Sequence, residues 1–511
     1  TGADPRRGDQ TIGGLGRMMV VRRLIGQERG GLSILGPVAD KPGLVGQVVR
    51  AVDELMRENV EPAVLEELAA RTQVDNPLGG ARLSDLTRLY RAYLDYLSED
   101  RLDPAQYLRL AAERLTHCRW IDGAEVYVDG FAGFTRQESA LLVELARRAE
   151  RVEIALLMDP AAAAVTSDTL PSLSFSLFAR TERTLVQLRK DLRAAGVTED
   201  EPLRLGDQVP RRFRGPGLAE LERHVFAERA PKVDAISSPS VRVLELPDRR
   251  AEVDAAVTEI LRLTREADPP MRYRDIAVIV RDLEAYHDLL SAAMRAHHIP
   301  CFIDRRQPTT HHPLIELVRS LLAVAQDDCR LDAVRLMLKT GLLPIAAGDA
   351  DLLENYLLAH GIEGRTRWLN EWQQRRLFKH RGPDDQLRPY QQEALARVNR
   401  AREIWLELMG EWLDAATEPT TPGRQRIEAL YACLDRLAVG RQLMDWAAQD
   451  EEDGLPDQAA THRQVWGDFL ELLDEFAHAL GDEPLTSAAF REIIEAGLGE
   501  FDLGLAPPTL D

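Results

Sequence analysis

The stretch Val126-Tyr-Val-Asp-Gly-Phe-Ala-Gly-Phe-Thr135, running on into Arg136-Gln-Glu138, decides the fold. It opens as an apolar run, Val126 to Val128, and stops at Asp129 with a glycine directly behind it. Thr135 and Glu138 have the spacing of a capping box, in which the hydroxyl and the carboxylate each serve a free N–H of the first helical turn. Beyond them Leu141, Leu142 and Leu145 fall on one helical stripe. A second apolar run, Val152 to Met158, ends at Asp159. The unit is buried strand, strand-end carboxylate, loop, helix and next strand. Ligands of open parallel sheets sit just outside the carboxyl ends of the strands. Asp129 therefore stands where a nucleotide-binding protein would hold Mg²⁺. Any buried parallel strand can equally end in Asp, and the pattern alone does not choose.

Upstream, residues 10 to about 117 read as helices. Leu24, Ile25, Val45, Val48, Val49, Val52, Leu55 and Met56 recur at helical spacing, and Leu86, Leu89, Tyr90, Tyr93, Leu94 and Leu97 share one side of another helix. Downstream, Asp159 to Pro171 reads as a surface loop and Phe178 to Ala195 as a helix. Residues 205 to 240, with Pro210, Pro216, Pro231 and Pro239, read as a connector. A second α/β unit follows. Its strands are expected at Val241–Leu246, Asp275–Val280 and Ile299–Ile303, and Val253, Val257, Ile260 and Leu261 line one face of a helix between the first two. His311-His-Pro313 reads as the start of a long apolar helix, because adjacent histidines cannot both ligate one metal from a helix face. From 330 to about 500 the pattern is helical throughout.

The 511 residues suffice for several domains' worth of core. Hydrophobic content of 45% with 29% charged residues is that of a globular chain, and no apolar run reaches membrane-spanning length. Thr1-Gly-Ala-Asp-Pro-Arg-Arg7 has no signal-peptide core. The missing initiator Met and the linker-like Leu505-Ala-Pro-Pro-Thr-Leu-Asp511 lead us to expect an internal piece of a longer protein. Cys118, Cys301, Cys329 and Cys433 are too scattered for a zinc or iron–sulfur ligand set, and fit a reducing cytoplasm. The five lysines, Lys41, Lys190, Lys232, Lys339 and Lys379, exclude two chemistries. None follows glycine, so there is no GxxxxGK[ST] phosphate loop. None lies two residues after Asp or Glu, so the (D/E)xK half of a PD-(D/E)xK nuclease is absent.

A net charge of −20 argues against loose nucleic-acid binding over the whole surface, but not against a local basic channel. Basic clusters occur at Arg211-Arg212-Phe-Arg214, Arg249-Arg250, Arg305-Arg306 and between Arg365 and Arg381. The last combines Arg365, Arg367, Arg375, Arg376, Lys379 and Arg381 with Trp368, Trp372 and Phe378, the mixture that phosphate contact plus base stacking requires. Arg365, Arg367, Trp372, Arg375, Arg376, Lys379 and Arg381 are the candidate DNA-binding residues; the alternative is a solvated surface.

Val126 to Glu138 resembles the "DGF-x-x-F-T-x-x-E" segment of the AddB/RexB-type subunit of bacterial AddAB helicase–nucleases, RecBCD-like machines that process double-strand breaks. Further matches follow in the family's order: Tyr273-Arg-Asp-Ile-Ala-Val-Ile-Val-Arg281, Ile299-Pro-Cys-Phe-Ile-Asp304, His312-Pro-Leu314, Leu338-Lys-Thr-Gly-Leu342, Glu354-Asn-Tyr356, Gly361-Ile-Glu-Gly364 and Pro507-Pro-Thr-Leu-Asp511. The resemblance implies an α/β fold of two partial RecA-like superfamily 1 helicase domains with large helical insertions and no motor activity. Residues 1–117 would be a 1B-like helical insertion and 118–235 part of the first RecA-like domain. Residues 236–325 would be part of the second, 326–500 a 2B-like insertion, and 501–511 the return to the second domain. In active relatives the metal-holding Asp is followed by the Glu that activates water; here Gly130 follows Asp129, leaving a degenerate site without a hydrolytic set. The resemblance further implies DNA and an AddA-like motor subunit as partners. This stretch itself would carry no cofactor, with ATP/Mg²⁺ and an iron–sulfur cluster belonging to the full-length protein. The competing expectations are a RecC-like (exodeoxyribonuclease V gamma) subunit, an active translocase whose phosphate loop lies upstream, and an acidic helical interaction protein with no DNA role.

Overall fold

The computed structural model describes residues 10–41, 43–97, 101–159, 176–203, 217–226, 241–303, 307–308, 311–373, 387–499 and 502–503. Helices dominate these residues, with strands few and short. None of the described helices is long and apolar enough to cross a membrane. The expected loop at 160–171, most of the 205–240 connector and the closing 504–511 lie outside the described residues.

The N-terminal block begins with β1 (Gln10–Thr11) and α1 (Gly14–Glu28), followed by α2 (Leu44–Arg57), α3 (Pro62–Asp75) and α4 (Pro77–Tyr96). Then β2 (Arg101–Leu102) pairs in parallel with β1, and α5 (Tyr107–Leu115) closes the block. In α2 the residues Val45, Val48, Val52 and Met56 recur every three or four positions and are all buried. Helix α4 starts where Asn76 accepts from the Gly79 N–H at 2.9 Å and Pro77 takes the first turn. Its buried tyrosines all find acceptors. Tyr90 donates to the Val60 carbonyl, Tyr93 to Asp103, and Tyr96 to the Ala479 carbonyl far along the chain.

The first α/β unit is β3 (Glu125–Val128), α6 (Arg136–Arg148) and β4 (Arg151–Ile154), then α7 (Ala179–Ala194) and the short α8 (Leu218–His224). Strands β3 and β4 are parallel, with Val126 opposite Val152 and Val128 opposite Ile154. The expectation of a buried strand needs correction. Val126 and Val128 are half-covered, while Tyr127 between them is 66% exposed. A parallel strand is buried on both faces only when layers cover both sides, and here a single side is covered. The second strand also ends earlier than its apolar run: Leu157 is exposed.

In the second unit, α9 (Arg249–Arg265) packs on α10 (Leu283–Ala296) through Val253, Val257, Ile260, Leu290 and Met294, with Ile299 completing a small core. The three expected strands are not hydrogen-bonded strands here. Ile276, Val280 and Ile303 rest against the helices, but Val243 and Ile279 are each 92% exposed. A strand exists through its ladder partners, and no described segment supplies them.

The third part runs from β5 (Gln307–Pro308) through α11 (Pro313–Gln326), α12 (Leu331–Lys339), α13 (Ala347–His360), α14 (Arg365–Trp368) and α15 (Pro389–Thr417). It continues with β6 (Thr421–Pro422), α16 (Gly423–Arg436), α17 (Val439–Glu452), α18 (Pro456–Leu480), β7 (Pro484–Leu485), α19 (Ser487–Leu498) and β8 (Asp502–Leu503). Antiparallel pairing of β5 with β8 brings the two ends of this helical excursion together, and β6 pairs with β7 inside it. One hydrophobic core joins the excursion to the N-terminal block, with α1 packed on both α18 and α19. Arg22 pairs with Glu492 at 2.7 Å and Arg23 with Glu483 across that junction.

A histidine pair, His312 buried and His462 half-covered, pins the start of α11. The Leu314 N–H donates to His312 Nδ1, so the His312 proton sits on Nε2 and is donated to His462 Nδ1 at 2.9 Å. His462 Nε2 lies 3.2 Å from Asp450 Oδ2, poorly aligned for a hydrogen bond. A further proton on His312 would displace the helix cap. Burial, with His462 beside it, lowers the His312 pKa from 6.5 to about 4. The unfolded chain therefore binds the extra proton first. The His312 contribution to stability is complete above pH 6.5 and is lost as pH drops towards 4. His312→Asn keeps a capping side chain but removes this titration. The slope of melting temperature against pH in that window is expected to be shallower in the variant; equal slopes would show that His312 does not contribute.

Candidate functional site

The loop that follows β3 is built by three local devices. Asp129 is exposed and its Oδ1 accepts from the Gly130 N–H at 2.8 Å. Gly130 has φ +86°, in the left-handed region. The capping box forms as its spacing requires: Thr135 Oγ1 accepts from the Glu138 N–H at 3.3 Å, and Glu138 Oε2 from the Thr135 N–H at 2.7 Å. Phe131 and Phe134 stand 5.2 Å apart in the loop, Phe131 exposed. Gln137 donates to the Met56 carbonyl at the end of α2, and Thr184 of α7 to the Ala132 carbonyl. So α2 and α7 hold the loop from two sides.

This loop does not amount to a metal–nucleotide site by itself. Asp129 is a lone exposed carboxylate, and among the described residues no group of three or more His, Cys, Asp or Glu is placed to hold a metal ion. Nor do the thiols fit an iron–sulfur cluster: Cys329 is buried in the turn between α11 and α12 and Cys433 on α16, and burial pushes both up to about 12. Neutral, enclosed thiols of this kind are inert.

The stretch from Arg365 to Arg381 is placed differently from a stacking surface where it is described. Trp372 is 3% exposed, stacked on Tyr356 at 5.4 Å and edge-on to Trp368, which stacks on Trp405 at 4.0 Å. Trp372 Nε1 donates to the Arg367 carbonyl, and Asn399 bonds both the N–H and the carbonyl of Trp372. The buried Arg402 guanidinium lies 5.9 Å from the centre of the Trp372 ring. The ring faces of Trp372 are thus occupied by protein. Arg365 pairs with Asp414 at 2.7 Å, and its N–H donates to Asp328. Arg367 donates to the Gly361 and His360 carbonyls, closing the C-terminus of α13. The sequence carries only a weak signal of this burial: Trp368 and Trp372 lie four apart, a spacing that suits neighbours in a core as well as a stacking surface. Arg375, Arg376, Phe378, Lys379 and Arg381 lie outside the described residues, as do Arg211, Arg212, Arg214, Arg305 and Arg306. Arg249 is described and sits 5.8 Å over the Tyr286 ring, whose hydroxyl donates to Glu252.

Comparison with known proteins matches residues 6–222 to the family described as "ADDB, N-terminal". The B-type subunit of the ATP-dependent helicase/deoxyribonuclease of Symbiobacterium thermophilum is 38% identical over 507 residues, 97% of this chain and 43% of that protein. The proteins of the same name from Desulforudis audaxviator and Moorella thermoacetica are 37% and 36% identical, each over 98% of this chain and 43% of their own length. The chain is an AddB homologue. It spans less than half the length of the relatives it matches. The AddB relationship covers both helical blocks and both α/β units, well beyond the segment around Asp129 that first points to it.

Gly130 offers a direct test of the loop. Open space surrounds the position a Cβ would take, so only the backbone angle resists substitution. Gly130→Val is expected to cost about 1–3 kcal/mol from strain at positive φ. Asp129→Asn, which keeps an acceptor for the Gly130 N–H, should cost less. Thermal melts of both variants check this; equal or reversed shifts would show that the turn does not need its glycine.

Proposed function

We propose that this AddB homologue is part of a non-motor subunit that guides DNA and scaffolds an ATP-dependent helicase–exodeoxyribonuclease, one that resects double-strand breaks for recombinational repair beside an AddA-like motor subunit. The observation that carries the reading is similarity across 97% of the chain to a protein named as the B-type subunit of a helicase/deoxyribonuclease. The two α/β units are read as parts of two RecA-like domains. Parallel β3 and β4 with α6 between them support the first. The helix-backed segment around Ile279 and the bare one around Val243 support the second, as sheet segments without ladder partners among the described residues. The excursion from β5 to β8 is read as a 2B-like insertion and the N-terminal helices as a 1B-like one. Motor inactivity rests on Asp129-Gly130 in place of Asp-Glu. In this reading the protein works in the cytoplasm, where its DNA is. Phosphate contacts of the 365–381 stretch fall to Arg375, Arg376, Lys379 and Arg381, with Arg365, Arg367 and Trp372 anchoring the base of that segment.

The test uses the full-length subunit with its motor partner. ATP-dependent degradation of linear duplex is expected only when both are present, and Asp129→Ala should leave ATP turnover unchanged. DNA-stimulated ATPase by the AddB homologue alone, abolished by Asp129→Ala, would overturn the non-motor assignment. Arg375→Ala with Arg376→Ala should flatten the plot of log affinity against log salt by about 0.7 to 0.9 per lost contact. An unchanged slope would remove this stretch from the DNA path.

A further inference from the structure

Helix α7 (Ala179–Ala194) carries three cations that its own carboxylates leave without an ion pair. Its two carboxylates are engaged or covered: Glu182 is buried and accepts from Ser176 Oγ, and the half-covered Asp191 accepts from Gln187 and stands 4.0 Å from Arg136. Arg189 is buried too, held by Glu199. Arg180, Arg183 and Lys190 are exposed and lie within about 80° of one another around the helix. None of these three makes an ion pair among the described residues, and Arg183 spends only its Nε, on the Ala179 carbonyl.

The row also has a place. Arg180 lies against the loop after β3, its Nε 3.3 Å from where a Cβ on Gly133 would stand. The stripe therefore starts beside the carboxyl end of the parallel β3–β4 pair, the side on which open α/β sheets receive ligands. At 1.5 Å per residue the row from Arg180 to Lys190 is about 15 Å long. One DNA strand carries a phosphate about every 3.4 Å along a duplex, so a single-file row of this length can follow one backbone and meet three of its phosphates. Arginine suits that contact through its forked donors and lysine as a point charge.

We infer that Arg180, Arg183 and Lys190 form a phosphate-contact stripe for one DNA strand, separate from the 365–381 stretch. The inference rests on the DNA-binding reading above. It is tested in the full-length subunit with its partner, using a single-stranded oligonucleotide and affinity measured across a range of salt concentrations. Wild-type protein that does not bind would sink the DNA reading itself. If wild type binds, Arg180→Ala, Arg183→Ala and Lys190→Ala together should weaken binding and lower the salt slope by about 2, at roughly 0.7 per single-strand contact. The charge-keeping set Arg180→Lys, Arg183→Lys and Lys190→Arg should retain most of both. Unchanged affinity and slope in the alanine variant would overturn the stripe while leaving the DNA reading intact. Weaker binding with an unchanged slope, or equal loss in the charge-keeping set, would overturn it as well, because the effect would then be one of packing. Exposed substitutions of this kind leave stability almost unchanged, so the alanine variant should melt with wild type.

Discussion

Helix α1 is buried on nearly every side, and its free N–H groups are met by a carboxylate that arrives 459 residues later. Met19, Val20 and Ile25 are fully enclosed, so α1 is a helix of an interior rather than of a surface. Its first residues have no side-chain cap of their own. Glu475 of α18 accepts from the Gly16 N–H instead. Burial raises the Glu475 pKa, and the N–H groups of α1 work against that rise. The helix terminus and the carboxylate thus satisfy each other: unpaired, each would carry the cost of a buried polar group. Around this contact the N-terminal helices and the excursion from β5 to β8 condense into one core, with Tyr96 bonded to the Ala479 carbonyl and Gly497 set closely against Leu472 and Met19.

The same block holds two buried cations largely through backbone carbonyls, Arg402 also reaching Glu403 at 3.3 Å. Arg426 is almost wholly enclosed and donates to the Ala416, Glu418 and Leu485 carbonyls and to Ser487 Oγ. Two of those carbonyls belong to the C-terminal end of α15, where the helix dipole favours a cation. Arg402 donates to the Trp368 carbonyl and to Asn399 and supports the Trp372 ring. These arginines join chain ends and turns by filling several acceptors at once, which a lysine could not do from one position. They explain how a helical block with short connections stays specific in its packing.

The two α/β units have the opposite character. Their helices are satisfied and their strand-like segments are not. Tyr127, Val243 and Ile279 show water the faces that an α/β sheet normally hides. In a homologue that spans 43% of its relatives' length, bare sheet faces on one side and a closed helical core on the other divide the chain physically. The helical core is closed among the described residues, whereas the strand-like segments keep apolar faces open to water.

Local chemistry was legible from the residues alone. The Thr135–Glu138 capping box, the glycine turn at Gly130, the start of α11 at His312-Pro313 and the stripes of α2, α4 and α9 all involve groups within a turn or two of each other, so spacing suffices to specify them. The family was legible too, because it rests on an ordered set of short segments. What the residues did not reveal is which apolar side meets which. The spacing of Trp368, Trp372 and nearby arginines suits a nucleic-acid surface as well as a core, and only the arrival of Trp405, Asn399 and Arg402 from α15 made it a core. Likewise, an apolar run predicts a buried strand only if ladder partners and a second covering layer are present. Those are long-range contacts, which local sequence does not encode; the tertiary structure supplied them to α1 and withheld them from Val243 and Ile279.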